Sequence, residues 1–357
     1  MTREYRWDLG TAYDFFASLH VLHHPQKFSL RRAWAAGVRA RMSEEARRTL
    51  ERLALAFPLP FPWVVRLPQP KDAATALAAL AALPPAQRLP QLFLAPEAPP
   101  EVGQTLHQVA QRGAWEEADL LRLQRAVSGL PQPPRKAALV QRLEAWAESE
   151  AFGRALLQAL QEYQRVFFAE EEERLRPLLG QVLRMAQVQA AQMPLGDLIV
   201  HLTQGVRLPE AERVARLTLA PSFWLAPLVV FRRLGEDEGL LVLGARPPGA
   251  SLVPGEEVPD ALLRGLRALA DPTRLRILRY LSERAHTPTQ LARRLRLRAP
   301  TVVHHLHALR LAGLVYLTVE EGERRYAARP EQMAALWAQL EAFFHPAPSL
   351  PTDSDSP

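Results

Sequence analysis

Pro272 and Pro288 each stand one residue behind a short polar side chain, Asp271 and Thr287. Proline breaks a helix interior, because it lacks an N–H and crowds the preceding turn. At the first helical position the missing donor is no loss, and the ring fixes a helical φ in advance. Asp and Thr are good helix caps, since their side-chain oxygens accept from N–H groups that the first turn leaves unpaired. The two Asp-Pro and Thr-Pro steps therefore divide "ADPTRLRILRYLSE" and "HTPTQLARRL" into two helices with defined starts. Gln290, three residues after Thr287, completes a capping box. Leu275, Leu278 and Leu281, with Ile277 beside them, are expected to supply the core stripe of the first helix.

The rest of this segment follows the same grammar. "DALLRGLRALA" reads as a helix before these two. After a short turn, "RLR", comes a further helix, "APTVVHHLHALRLAG", with Gly313 placed to end it. Two short strands, "LVYLTV" and "RRYAA", joined by "EEGE", precede a final helix from about Pro330 to Phe344. At 100° per residue, Val302, Leu306 and Leu309 share one face of the "APTVVHHLHALR" helix and form its buried stripe. Val303, His304 and His307 then point away from the core, while His305 lies about 60° off the stripe centre and is expected to be partly buried.

Charge is concentrated in the same place. Residues 261–345 hold fourteen arginines against seven acidic side chains, a net +7, while the rest of the chain nets −1. Eight of those arginines fall between Arg274 and Arg298, with Glu283 the only acid among them. A local basic footprint on an otherwise balanced chain fits a polyanionic partner better than a merely solvated face.

The ordered motifs "ALADPTRLRILRYL", "TPTQLARRLRL", "APTVVHHLHALRLAGLV" and "GERRYA" resemble the ArsR/SmtB family of bacterial transcription factors. The resemblance covers about 85 of the 357 residues. It implies a winged helix-turn-helix that binds double-stranded DNA as a homodimer on an inverted repeat. The "APTVVHHLHALR" helix would lie in the major groove and the hairpin would act as the wing. The residues it assigns to DNA are Arg298, Pro300, Thr301, Val303, His304, His307, Arg310, Arg324 and Arg325, with Arg298, Arg310, Arg324 and Arg325 neutralising phosphates. Three departures matter. Family members often carry Gly-x-Ser in the turn where this chain has Arg296 and Arg298, which removes a good cap and adds charge. Val303 replaces a common polar residue; it can touch a thymine methyl but reads no donor pattern. His307 replaces a frequent lysine. Modest base reading with a large phosphate share is the expectation.

Metal binding is the rival use of the histidines. His304 and His307 stand i, i+3, but the helix offers no third ligand. His20, His23 and His24 also have chelating spacing, yet "HHP" more simply ends a helix with cations near its C-terminus. The family's metal sensors use Cys before the recognition helix, or His and carboxylates on the last helix. This chain has no Cys, and Glu331, Glu341 and His345 lack a common chelating spacing. No metal and no cofactor is expected. Met333, Leu336, Trp337, Leu340, Phe343 and Phe344 give the last helix an apolar surface suited to dimerisation.

Residues 1–246 read as a mostly helical domain with a short β-hairpin, so the fold class is mainly α with small β elements. Helices are expected at 11–22, twice within 29–57, and at 71–83, 101–128 and 135–191, with breaks at prolines and glycines. The "EEEE" run at 170–173 is expected to be a solvated helix face. "RLTLAPS", "FWLAPLVVFRR" and "GLLVLGARP" have strand character, with "LGEDEG" as a hairpin loop. A Pro/Gly-rich linker spans 247–259, the winged domain 260–345, and a tail that is disordered by composition 346–357. "SLHVLHHP", "FSLRRAWAAGVRARM" and "TLAPSFWLAPLVVF" resemble a longer-chain branch of the same regulators. The charged start lacks a signal-peptide core and no apolar run reaches the roughly 18–20 residues of a membrane span, so a cytoplasmic protein without membrane contact is expected. No Gly-rich phosphate loop, nucleophile elbow or HExxH is present, so no enzyme is expected. Two other readings stay open. One is an N-terminal enzymatic or small-molecule-binding domain fused to the DNA-binding module, with Trp34, Trp63, Trp115, Trp146 and Trp224 lining a ligand pocket or the core. The other is a non-specific nucleoid binder. A small-molecule effector for the N-terminal domain fits the first.

Overall fold

The computed structural model describes residues 4–28, 30–94, 98–130, 133–247, 258–320 and 323–344. The expected linker at 247–259 lies largely outside them, and the tail at 346–357 wholly so. The chain forms two compact units, one of residues 1–252 with 319–323 and one of residues 253–318 with 324–357. No helix among the described residues is long and apolar enough to cross a membrane.

The first unit is built on a small sheet and a buried helix. Strand β1 (Glu4–Trp7) leads into α1 (Thr11–His23), which ends at the expected "HHP" with His24 as its C-cap. Helix α1 is buried on nearly every face because it runs "AYDFFASLHVL". Phe15 packs edge-on to Phe168 and tilted on Tyr163, with ring centroids 5.1 and 5.6 Å apart. Helices at Arg32–Ala40 and Glu44–Ala56 follow as expected, the second capped by Ser43 Oγ, which accepts from Ala46 N at 3.2 Å. Ser43 lacks an acidic partner within its own helix; Glu162 supplies one from afar, accepting from Ser43 N and Oγ at 2.5 and 2.9 Å.

The long helix α2 (Ala169–Ala190) overturns one expectation. Only Glu170 and Glu173 of the acidic run are solvated, whereas Glu171 and Glu172 are buried. Each has an assigned partner set. Glu171 accepts from Trp224 Nε1 at 2.9 Å and pairs with Arg174. Glu172 accepts from Thr11 Oγ1 at 2.5 Å and from Ala73 N at 3.0 Å, joining the first turns of α1 and of the helix Ala73–Ala81.

Strands β2 (Arg216–Ser222), β3 (Val229–Arg233) and β4 (Glu238–Gly244) complete a four-stranded sheet in the order β1-β2-β4-β3. The expected β3–β4 hairpin is present, antiparallel, with Val230 opposite Val242. The larger sheet was not visible in the sequence, because β1 lies two hundred residues from its neighbour and pairs with β2 in parallel, Tyr5 opposite Leu217. Residues 223–228, expected as strand, are turn and loop instead. The stretch 101–128 is two helices, Pro100–Arg112 and Glu117–Val127, parted at Gly113. Helices Pro85–Phe93 and Leu195–Leu202 were not anticipated.

Asp14 is the most demanding residue of this unit. Its carboxylate is fully buried on α1 and accepts from Ser222 Oγ at 2.8 Å and Trp224 N at 2.7 Å. Burial outweighs these bonds and pushes its pKa up to about 7.

The second unit has the expected order. It comprises α3 (Asp260–Leu269), α4 (Pro272–Glu283), α5 (Pro288–Leu295), α6 (Ala299–Leu311), strands β5 (Val315–Glu320) and β6 (Glu323–Ala328), and α7 (Pro330–Phe344). Asp271 caps α4, accepting from Arg274 N at 2.9 Å, and Thr287 and Gln290 form the capping box of α5. Leu262, Ile277, Leu281, Leu291, Val302, Leu306 and Leu309 share one core. Leu275 does not join it and is half exposed, because the inward face of α4 is centred on Ile277, Leu278 and Leu281. Gly265 lets α7 approach α3, since a Cβ there would stand 2.4 Å from Leu336 Cδ1.

Helices α5 and α6 end in the same way with different residues. After α6, Gly313 at φ 73° donates to Arg310 O and Leu314 donates to Leu309 O, both at 3.0 Å. After α5, Arg296 occupies that left-handed position at φ 55°, and Leu297 donates to Ala292 O at 3.0 Å. A side chain there costs about 1–2 kcal/mol relative to ordinary helical backbone.

Two measurements check these assignments. Asp14 has a folded pKa above its unfolded value of about 3.9, so the wild type loses stability as pH rises from about 4 through about 7. The Asp14→Asn variant lacks that contribution. Its urea midpoint relative to wild type should therefore rise between pH 5 and pH 8; a constant difference would mean Asp14 does not titrate there. The Arg296→Gly variant should be more stable by about 0.5–1 kcal/mol, the strain relieved less the entropy glycine loses, read as a higher denaturation midpoint of the winged unit.

Candidate nucleic-acid interface

The turn between α5 and α6 places α6 with its N-terminal half in solvent. Val302, Leu306 and Leu309 are fully buried, as their spacing demands, and each contributes roughly 2 kcal/mol of apolar burial. Arg298 is the N-cap, with extended backbone and no side-chain cap bond. Arg298, Pro300, Thr301, Val303 and His304 are all exposed, Val303 by 42%. The first-turn N–H groups of α6 have no side-chain acceptor, so this end is favourable to an anion.

The three histidines separate. His304 is exposed and His305 half-buried, as expected, but His307 is half-buried rather than fully outward. His305 Nδ1 lies 3.8 Å from Asp271 Oδ1, the same carboxylate that caps α4. Burial lowers the His305 pKa despite this neighbour, so its ring is neutral at pH 7 and serves packing between α4 and α6. The backbone N–H of Arg274 is the main cause holding Asp271 below the usual carboxylate range.

Arg310 is a correction. It is 6% exposed, and burial together with Arg329 lowers its pKa to about 10. Position 310 lies within about 20° of the exposed Val303 around the helix, so its burial comes from packing over the C-terminal half of α6 and not from helical position alone. It keeps its charge at pH 7, but its side chain is buried and not presented at the surface with Arg298.

The other arginines form the outward field. Arg276, Arg279, Arg284, Arg293, Arg294, Arg296 and Arg298 are exposed, and only Arg274 of the eight is tucked in, 3.8 Å from Asp271. Arg293, Arg296 and Arg298 have no carboxylate within ion-pair distance among the described residues. Arg293 and Arg294 on α5 were counted in the charge but not singled out. Their i, i+1 position opposite Leu291 and Leu295 was the available signal.

The hairpin sits beside this surface. Strands β5 and β6 are neighbours in their sheet. His286, just before α5, exchanges backbone bonds with Tyr326 at 2.8 and 2.9 Å, which ties the helix-turn-helix to the hairpin. Arg325 is exposed and Arg324 half-buried; Glu321 and Gly322 at the tip lie outside the described residues. On α7, Leu336 is buried in the core and Met333 and Leu340 pack on it. Trp337, Phe343 and Phe344 are 58%, 40% and 67% exposed, so the apolar set divides between core and surface. His345 lies outside the described residues. Among the described residues no group of three His, Asp or Glu is arranged to hold a metal ion.

Comparison with known proteins gives this surface a context. A helix-turn-helix domain family matches residues 269–317, from the end of α3 into β5. The HTH-type transcriptional regulator CmtR of Mycobacterium tuberculosis is 41% identical over 98 residues, 28% of this chain and 79% of that protein. CmtR of Mycobacterium bovis matches to the same extent. Among solved structures, an ArsR family transcriptional regulator is 29% identical over 26% of this chain and 97% of its own, with a TM-score of 0.23. The cadmium sensor CmtR of Mycobacterium tuberculosis is 40% identical over 27% of this chain and 94% of its own, with a TM-score of 0.19. The domain-family match falls within the winged unit. With two-fifths of the aligned residues identical over most of a CmtR chain, and an uncapped, arginine-flanked α6 at the surface, this chain belongs to the ArsR-type helix-turn-helix transcriptional regulators.

Proposed function

We propose that the protein controls transcription as a homodimer on an inverted-repeat operator, reading it through α6 and clamping it with the β5–β6 wing. The observation that carries this is the exposed first half of α6, set among Arg293, Arg296 and Arg298, which have no carboxylate within ion-pair distance among the described residues. A recognition helix meets base edges with its N-terminal residues, and here those are Thr301, Val303 and His304. His304 donates or accepts toward a base or phosphate, and Val303 contacts a thymine methyl. Arg298, Arg324 and Arg325 take phosphates, with His307 and Pro300 at the flank; Arg310 drops out of the set. Arg293 and Arg296 add to the phosphate share. The exposed Trp337, Phe343 and Phe344 support dimerisation through α7. In this reading residues 260–345 are the DNA-binding domain, and residues 1–246 bind a small-molecule effector or extend the dimer.

Footprinting on the DNA upstream of the protein's own coding region tests the reading. A specific regulator protects two half-sites about one helical turn apart and prefers them to random DNA by about 10³ or more; equal affinity for random DNA would favour the nucleoid-binder alternative. The His304→Ala variant should bind the operator about 5–150-fold more weakly, the equivalent of about 1–3 kcal/mol, with an unchanged melting temperature because the ring is exposed. With six or more phosphate contacts per dimer, affinity should fall about 10³-fold between 50 and 200 mM salt. An affinity nearly independent of salt would sink the phosphate-led model.

A further inference from the structure

The first unit contains a hollow of about 590 Å³ whose walls are apolar and whose rim is cationic. Four helices and the edge strand β3 enclose it. Phe57 closes one end, stacked on Trp146 at 5.7 Å and against Phe93 at 4.6 Å. Val102, Leu106 and Val127 line the opposite side. All but Phe93 of these wall residues are buried, so the walls are set by the fold rather than by mobile surface side chains. A volume of this order suits a drug-sized organic molecule, for which a few placed polar groups fix orientation.

The polar groups here have one sign. Arg142, Arg232 and Arg233 all line the hollow. Among the described residues none of the three has a carboxylate within ion-pair distance. Arg142 Nε donates to Ala56 O at 2.5 Å, at the end of the helix Glu44–Ala56, and its guanidinium carbon lies 5.9 Å from the Phe57 ring centre. Its other N–H groups have no protein acceptor among the described residues. The guanidinium is half-buried, and desolvation lowers its pKa. Arg232 donates only to the carbonyl of its own neighbour, Phe231, at 2.9 Å. A solvated arginine rim on an ordinary surface has no apolar hollow beneath it. A purely structural guanidinium is normally paired when it is desolvated.

We infer that this hollow binds an amphipathic organic anion, with an apolar chain or ring system against Phe57, Trp146 and Leu106 and a carboxylate head held by Arg142, Arg232 and Arg233. Guanidinium groups suit a carboxylate because their planar N–H fork matches its two oxygens. The apolar body accounts for the walls and the head accounts for the unpaired cations. Neither a neutral hydrocarbon nor a small hydrophilic anion accounts for both. The site lies wholly within the first unit, so it stands or falls independently of how the winged unit meets DNA.

Calorimetric titration of the full chain with dodecanoate below its micellar concentration, and with uncharged dodecan-1-ol, decides it. Saturable binding of one dodecanoate per chain is expected, at least tenfold tighter than dodecan-1-ol. The Arg232→Ala/Arg233→Ala variant changes two exposed side chains on an edge strand, so it should melt as wild type does and bind dodecanoate at least tenfold more weakly. Leu130→Trp, at a half-exposed position on the hollow's lining, should weaken both probes by crowding the mouth. Absence of saturable binding by the wild type would overturn the site. Equal affinity for the two probes, or unaltered dodecanoate binding by the double arginine variant, would overturn the assignment of an anion.

Discussion

The winged unit depends on one carboxylate. Asp271 accepts from Arg274 N to start α4 and stands 3.8 Å from His305 on α6. The cap therefore stands where α4 and α6 pack together, beside the neutral His305 ring. The core supplies most of the energy, through Ile277, Leu281, Leu291, Val302, Leu306 and Leu309, but apolar contact is non-directional. Direction comes from the bonds: the Asp271 cap at the start of α4, the Thr287–Gln290 box at the start of α5, and the His286–Tyr326 exchange that holds the hairpin.

The first unit solves a harder problem in the same currency of hydrogen bonds. Helix α1 is buried all round, so its polar residues have no water to turn to. Asp14 takes Ser222 and Trp224, Ser18 takes Tyr163 at 2.9 Å, and Thr11 takes Glu172. Each partner comes from a segment far along the chain. Asp8 is held by both Lys71 Nζ at 2.6 Å and Tyr13 OH at 2.5 Å. A buried carboxylate left without such partners costs several kcal/mol. The sheet edge, α2 and the helix Ala73–Ala81 are thus located by specific polar pairings and not by apolar contact alone.

Local rules carried the reading of the winged unit. Caps, prolines and a 3.6-residue period are properties of a few neighbouring residues, so Asp271, Thr287, Pro288 and the Val302–Leu306–Leu309 stripe were legible one helix at a time. The errors have separate causes. Arg310 was expected at DNA for its charge, and around α6 it lies only about 20° from the exposed Val303, so it is the packing over the C-terminal half of the helix that buries it. Leu275 was assigned to the core for its hydrophobicity, although it sits off the face of Ile277 and Leu281. The acidic run at 170–173 was read as solvated, and Trp224 and Ala73, the donors that make burial of Glu171 and Glu172 tolerable, stand 53 and 99 residues away.

By itself the sequence determined the order of elements in the winged unit, the outward placement of His304 and Val303, and the concentration of positive charge beside them. Those follow from spacing and from residue chemistry that act over a few residues. Tertiary structure alone decided that β1 joins a parallel sheet, that Arg310 is buried, and that three arginines from two distant segments line one apolar hollow. The reason is physical: burial and pairing depend on which groups meet in space, and parallel strands and cavity walls are assembled from segments with no local signal that they will meet.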